Sequence, residues 1–159
     1  MHMNPQTRRA FLSKMSVASV AAVGTAAVVQ ADGGGPQRKV VPGSPSPNFS
    51  RGIILGNLAF ISGVLGTKAG LRELASADFE GQCKQALENL KASIEAAGST
   101  MDKVLKCTCF LTDAADFDVM NKVYRTYFPT DPPARSTVAV KELVLAGAKF
   151  EIDCVTTLA

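Results

Sequence analysis

The chain has 159 residues, enough for one domain with a sizeable core. Hydrophobic residues make up 47% and charged residues 19%, a balance that excludes a disordered chain. The formal charge of +3 does not mark a nucleic-acid binder: Arg8, Arg9 and Lys14 lie in the first 31 residues, which hold no acid. Removing these three from the 17 Lys and Arg leaves 14 bases against 14 acids, with no basic stripe to track phosphates.

At the N-terminus, "TRRAFLSKM" places paired arginines before Phe11 and Leu12, and the Ala/Val-rich run "SVASVAAVGTAAVV" follows. "VQA" then ends at Ala31 with side chains that suit a signal peptidase. Basic region, mild apolar run and small-residue site predict a signal peptide over residues 1–31, of the twin-arginine type that exports folded proteins. An uncleaved anchor is the competing reading, but the apolar run is short and Ala-rich for a spanning helix. The expected location is therefore exported and periplasmic, with no stable membrane association once the signal is cleaved. Residues 32–38, "DGGGPQR", read as a linker, and 39–159 as the single domain.

A short strand is expected at Lys39–Val41. "RGIILGNLAFISG" holds two apolar runs about Gly56-Asn57, a hairpin signal. After a loop, "ADFEGQCKQALENLKASIEAAG" repeats apolar positions Phe79, Cys83, Ala86, Leu87, Leu90 and Ile94 at helical spacing, with Asp78 as N-cap and Gly98 as the left-handed stop. Ser99 and Asp102 have capping-box spacing and predict one helical turn. "KVLKCTCFLTD" reads as a strand with Leu105, Cys107, Cys109 and Leu111 on one side. A second helix, "ADFDVMNKVYRTYF", carries Phe117, Met120, Tyr124 and Tyr127 or Phe128 as its stripe, and Pro129, Pro132 and Pro133 end it. Strands at Arg135–Val140 and Lys149–Thr156 close the chain. The order β-β-β-α-β-α-β-β implies an α+β fold: one mixed sheet with both helices on one face and the other face short of cover.

Four cysteines, Cys83, Cys107, Cys109 and Cys154, all fall on apolar faces. Buried free thiols are the favoured reading, with disulfides as the alternative in an exported protein. "CTC" has the wrong spacing for zinc, and no metal site is expected. The only histidine is His2, inside the signal, so mechanisms with a histidine base are excluded.

Parity along the last two strands singles out two charges. Phe150, Ile152 and Cys154 alternate toward the helices, which puts Glu151 on the uncovered face. If Val138 and Val140 also face the helices, Arg135 shares that uncovered face with Glu151. A surface salt bridge of little worth and a functional site are equally compatible with that parity.

"PPARSTVAV" followed by "KFEID", together with "ISG" at Ile61–Gly63, "QALENLKASIEAAG" and "FDVMNKVYRTYF", resembles the Rid (YjgF-like) reactive-intermediate deaminase family over about residues 39 to 159. The resemblance implies a chorismate-mutase-like fold and a homotrimer. In it three sheets form a central barrel, with active clefts between subunits. It also implies hydrolysis of 2-imino acids, such as 2-iminopropanoate from 2-aminoacrylate, to 2-oxo acids and ammonia, without a cofactor. Arg135 would grip the substrate carboxylate and Glu151 would position water, with Ser62 and Gly63 lining the cleft; Asn121 would help shape the cleft, although a structural hydrogen bond on the helix is the favoured reading for it.

Two positions depart from the family pattern. Phe49 stands where many family deaminases carry a tyrosine, and Thr137 where many carry a cysteine, which excludes sulfur nucleophilic chemistry there. Both bear on the substrate more than on the reaction. Two other functions compete: a non-catalytic module binding small carboxylates in the same cleft, and a ribonuclease, which the absence of histidine and the neutral charge after residue 31 oppose.

Overall fold

The computed structural model describes residues 35–43 and 46–159; the expected signal and residues 32–34 of the linker lie outside them. Eight main elements follow in order: β1 (Lys39–Val40), β2 (Gly52–Leu55), β3 (Leu58–Leu65), α1 (Phe79–Ala96), β4 (Val104–Leu111), α2 (Phe117–Tyr127), β5 (Ala134–Ala139) and β6 (Phe150–Thr157). The strands form one six-stranded sheet in the order β1-β2-β3-β6-β4-β5. All neighbours are antiparallel except β4 and β5, which are parallel and joined through α2. The expected α+β architecture, one mixed sheet with both helices on one face, is the one observed.

Local chemistry explains most boundaries. The β2–β3 hairpin closes at Leu55 and Leu58 about Gly56, whose φ of +62° a side chain would resist. Asp78 caps α1, its carboxylate accepting from the Gly81 amide at 2.8 Å. At the other end, left-handed Gly98 (φ +83°) lets the Ser99 amide reach back to the Ile94 carbonyl at 3.1 Å. The turn that follows, Met101–Lys103, differs from expectation: Ser99 does not cap it. Its hydroxyl is buried and bonds the Thr157 carbonyl at 2.5 Å and the Thr156 hydroxyl at 2.9 Å, tying the helix exit to β6 instead.

The core lies between the helices and one sheet face. Cys83, Ala86, Leu87, Leu90 and Ile94 of α1 and Met120, Val123 and Tyr124 of α2 cover Ala59, Ile61, Cys107, Cys109, Leu111, Phe150, Ile152 and Cys154. Truncating a fully buried leucine such as Leu87 to alanine costs about 2–5 kcal/mol. The four cysteines are buried and free, and burial pushes the thiols of Cys83 and Cys109 up to about 12 and that of Cys107 up to about 11.

Gln82, also fully buried, stitches α1 to the segment before β6. Its amide nitrogen donates to the carbonyls of Ser76 (3.1 Å) and Gly147 (3.0 Å), and its carbonyl accepts from the Lys149 amide (2.8 Å). Both N–H donors are used, and the carbonyl oxygen accepts one bond.

Two residues depart from the expected stripes. Leu105 is 49% exposed, because the β4–β6 register slips between Val104 and Lys106, and the extra residue reverses the alternation. Phe117 is 42% exposed: as the first residue of α2 it overhangs the sheet edge instead of entering the core.

The face away from the helices stays uncovered and carries exposed apolar side chains beside the charged ones of β6. Phe60 and Val138 are each 45% exposed there, and Val40 and Leu55 extend the surface toward the β1 edge. Among the described residues no helix is long and apolar enough to cross a membrane.

Candidate active site

Arg135 opens β5, the edge strand. The parallel register with β4 sets Arg135 beside Cys107 and Thr137 beside Cys109. Both cysteines face the helices, so Arg135 and Thr137 do as well. This corrects the parity reading, which turned the valines of β5 inward. Val138 pairs with Phe110 and faces outward instead. The physical reason is the strand's position: an edge strand has one neighbour, and its inward side runs past the core to the flank of α2, where a charge stays hydrated.

The flank of α2 holds the guanidinium. Its Nη2 donates to Asn121 Oδ1 at 2.7 Å, and its Cζ lies over the Tyr124 ring at 4.6 Å and the Phe117 ring at 5.8 Å from the centroids. Asn121, expected in the site, is thus the arginine's partner, one turn of helix before Tyr124. Sequence reasoning placed Tyr124 and Phe117 in a core stripe and missed their part here. The usable signal was the helical spacing from Asn121, which puts Tyr124 on the same flank.

Glu151 sits elsewhere. On β6 it pairs with Phe110 of β4 and Leu65 of β3, and it points to the uncovered face. The β3–β6 register shifts between Ile61 and Val64, so Ser62 and Gly63 form an irregularity beside it. The Glu151 carboxylate lies directly against Gly63, occupying space that a Cβ at that position would need. Burial raises the Glu151 pKa, and the Asp153 carboxylate on the same face adds to the effect. Ser62 Oγ donates to the Ser50 carbonyl at 2.8 Å, which holds the loop carrying Phe49 against β3. Phe49 itself is 64% exposed.

The expected site residues therefore fall into two groups. Arg135, Thr137 and Asn121 gather on the helix side at the β5 edge; Glu151, Gly63, Ser62 and, through Ser50, Phe49 gather on or beside the uncovered face. Within one chain Arg135 and Glu151 do not meet. No surface salt bridge joins them either, because the sheet lies between. Among the described residues no cluster of His, Cys, Asp or Glu could hold a metal ion.

Comparison with known proteins places this architecture. The family model described as "Endoribonuclease L-PSP" matches residues 42–158, nearly the whole of the described domain. The chain belongs to the L-PSP family, the Rid or YjgF proteins.

Among its relatives is the chloroplastic Reactive Intermediate Deaminase A of Arabidopsis thaliana, 42% identical over 110 residues, or 69% of this chain. The chain spans 58% of that plant protein's length. A 2-iminobutanoate/2-iminopropanoate deaminase of Dermatophagoides farinae is 33% identical over 119 residues, covering 74% of this chain and 92% of the mite protein. Among solved structures, the YjgF gene product from E. coli superposes with a TM-score of 0.69 at 31% identity, over 75% of this chain and 98% of that one. A Thermotoga maritima protein titled a putative endoribonuclease gives 0.70 at 33% identity, over 76% and 98%.

Proposed function

We propose that this Rid protein hydrolyses 2-imino acids to 2-oxo acids and ammonia in a cleft between subunits. The observation that carries the reading is the guanidinium of Arg135. One amino group is tied to Asn121 and the plane is laid over Tyr124, so the remaining donors form a ready fork for a carboxylate. Two relatives whose names state deaminase activity support the reaction class.

Glu151 supplies the second requirement. Its carboxylate, kept basic by partial burial, takes a proton from water as the oxygen adds to the imine carbon. Glu151 returns that proton to the nitrogen of the tetrahedral adduct; the adduct's hydroxyl then gives up its own proton to the same nitrogen as the C–N bond breaks, so ammonia leaves and the 2-oxo acid remains. An imine is already electrophilic, so holding substrate and water together supplies much of the acceleration.

Arg135 and Glu151 lie on opposite sides of one sheet, so the proposal brings them together from two copies. The uncovered face carrying exposed Phe60 and Val138 supports a homotrimer packed sheet to sheet about a central barrel. Export belongs to the same proposal and rests on Arg8 and Arg9 before the apolar run. A non-catalytic carboxylate-binding module would need Arg135 alone; Glu151 fitted over Gly63 favours hydrolysis. A ribonuclease is disfavoured by the single histidine, His2, and by the charge balance beyond residue 31.

The test generates 2-iminopropanoate and longer imino acids in situ and follows 2-oxo acid release. Wild type is expected to exceed the uncatalysed rate and Arg135→Ala to lose most of the excess. If both match the uncatalysed rate for every imine, the proposal fails.

A further inference from the structure

Tyr124 is 3% exposed, and its ring is held between Arg135 Cζ, 4.6 Å from the centroid, and Phe128, whose ring lies 4.6 Å away at 36°. Its hydroxyl is a buried side-chain oxygen with no hydrogen-bond partner of good geometry among the described residues. A buried hydroxyl without an acceptor destabilises the fold, and phenylalanine would fill the space without that cost. Packing alone therefore accounts for a ring here and not for a phenol.

We infer that Tyr124 is a positioning residue for Arg135, its electron-rich face holding the guanidinium in the plane from which it receives a carboxylate. The inference rests on the carboxylate-binding reading of Arg135 above. Two restraints act on a side chain that is otherwise among the most flexible. Asn121 Oδ1 takes one Nη2 hydrogen and limits rotation within the plane; the ring limits tilt out of it. The other N–H donors stay available, and the ordering that carboxylate binding would otherwise require is already complete. The phenol oxygen feeds density into the ring and strengthens its hold on the partly buried cation. Phe117, more exposed and more distant at 5.8 Å, adds a second ring to the same cation without being buried under it.

A structural and a positioning role order the variants differently. Removing only the hydroxyl relieves a buried unsatisfied group, so Tyr124→Phe melts at or above the wild-type temperature while binding a carboxylate about two- to three-fold more weakly. Tyr124→Leu keeps an apolar side chain without a π face; it melts lower and binds roughly ten-fold more weakly. Stability then runs Phe, Tyr, Leu and affinity runs Tyr, Phe, Leu.

The experiment measures dissociation constants for 2-oxobutanoate, an unreactive 2-oxo acid, by calorimetry on the full protein. Wild type, Tyr124→Phe, Tyr124→Leu and Arg135→Ala are compared, with melting temperatures alongside. Tyr124→Met replaces the leucine variant if that one does not fold. The graded loss supports the inference. A leucine or methionine variant that binds as wild type does, while Arg135→Ala does not, overturns it and leaves the carboxylate reading standing. Wild type that binds no 2-oxobutanoate, or binds it no better than Arg135→Ala, overturns both.

Discussion

Arg135 and Glu151 project from opposite faces of one sheet, separated by β4, where Cys107 pairs with the first and Phe110 with the second. Sixteen positions apart in sequence, they belong to different sides of the molecule. An active site containing both therefore takes one from each of two copies.

Mixing variants tests that relationship. Arg135→Ala and Glu151→Gln should each be inactive for imine hydrolysis as pure proteins. Co-refolded in equal amounts, they should recover about a quarter of wild-type activity, since one interface in four joins an intact arginine to an intact glutamate. No recovery from well-mixed oligomers, or a chain that is monomeric by light scattering, would sink the intersubunit site.

Glu151 makes stability depend on pH in a direction that can be worked out. Partial burial first, and Asp153 second, raise its pKa above 4.5 in the folded chain. The folded state then holds this proton to higher pH than the unfolded state does. Its stabilising contribution is complete below the unfolded value and is lost as pH rises through the folded one. Glu151→Gln should accordingly raise the melting temperature at neutral pH and leave it unchanged near pH 4. The acidic limb of the wild-type rate profile should lie above 4.5. A glutamine variant that melts lower at neutral pH would mean that the ionised carboxylate has a favourable partner.

Gly63 is small because the Glu151 carboxylate lies against it. In Gly63→Ala the new methyl displaces that carboxylate from where it meets water. The overpacking costs about 1–3 kcal/mol. Displacing the proposed base should lower kcat/KM by on the order of a hundred-fold, as misplacement of about 1 Å does elsewhere. In a Glu151→Gln background the same substitution should cost little further activity. Equal losses in both backgrounds would assign Gly63 a role independent of the carboxylate.

Legibility in the sequence followed how local each cause was. Asp78, Gly56 and Gly98 act within a few residues of themselves, and their turns and caps are written in adjacent positions. The stripe of α1 was equally readable, since helical spacing needs no knowledge of the sheet. Leu105 was not, because its outward turn comes from a slipped register with β6, a partner about fifty residues away. Nor was the side taken by Arg135. Alternation shows that Arg135 opposes Val138, yet the choice of inward face depends on β5 pairing with β4 at the edge and not with β6. Ser99 had the spacing of a cap, but the hydroxyls and carbonyls of β6 compete for the same side chain and win. The family resemblance named the residues from which the candidate site is built. It could not show that one chain splits them between two faces.

The Gln82 amide has a consequence for how the molecule assembles. Its three bonds reach Ser76 just before α1 and Gly147 and Lys149 some 65 residues later. A chain in which α1 has docked before that later segment arrives holds a desolvated amide with two of its three partners missing. Such an intermediate is penalised, so first helix and last strand are driven to complete their docking in one concerted step. A single glutamine thus discourages half-folded states that would leave β6 and its neighbours open to strangers.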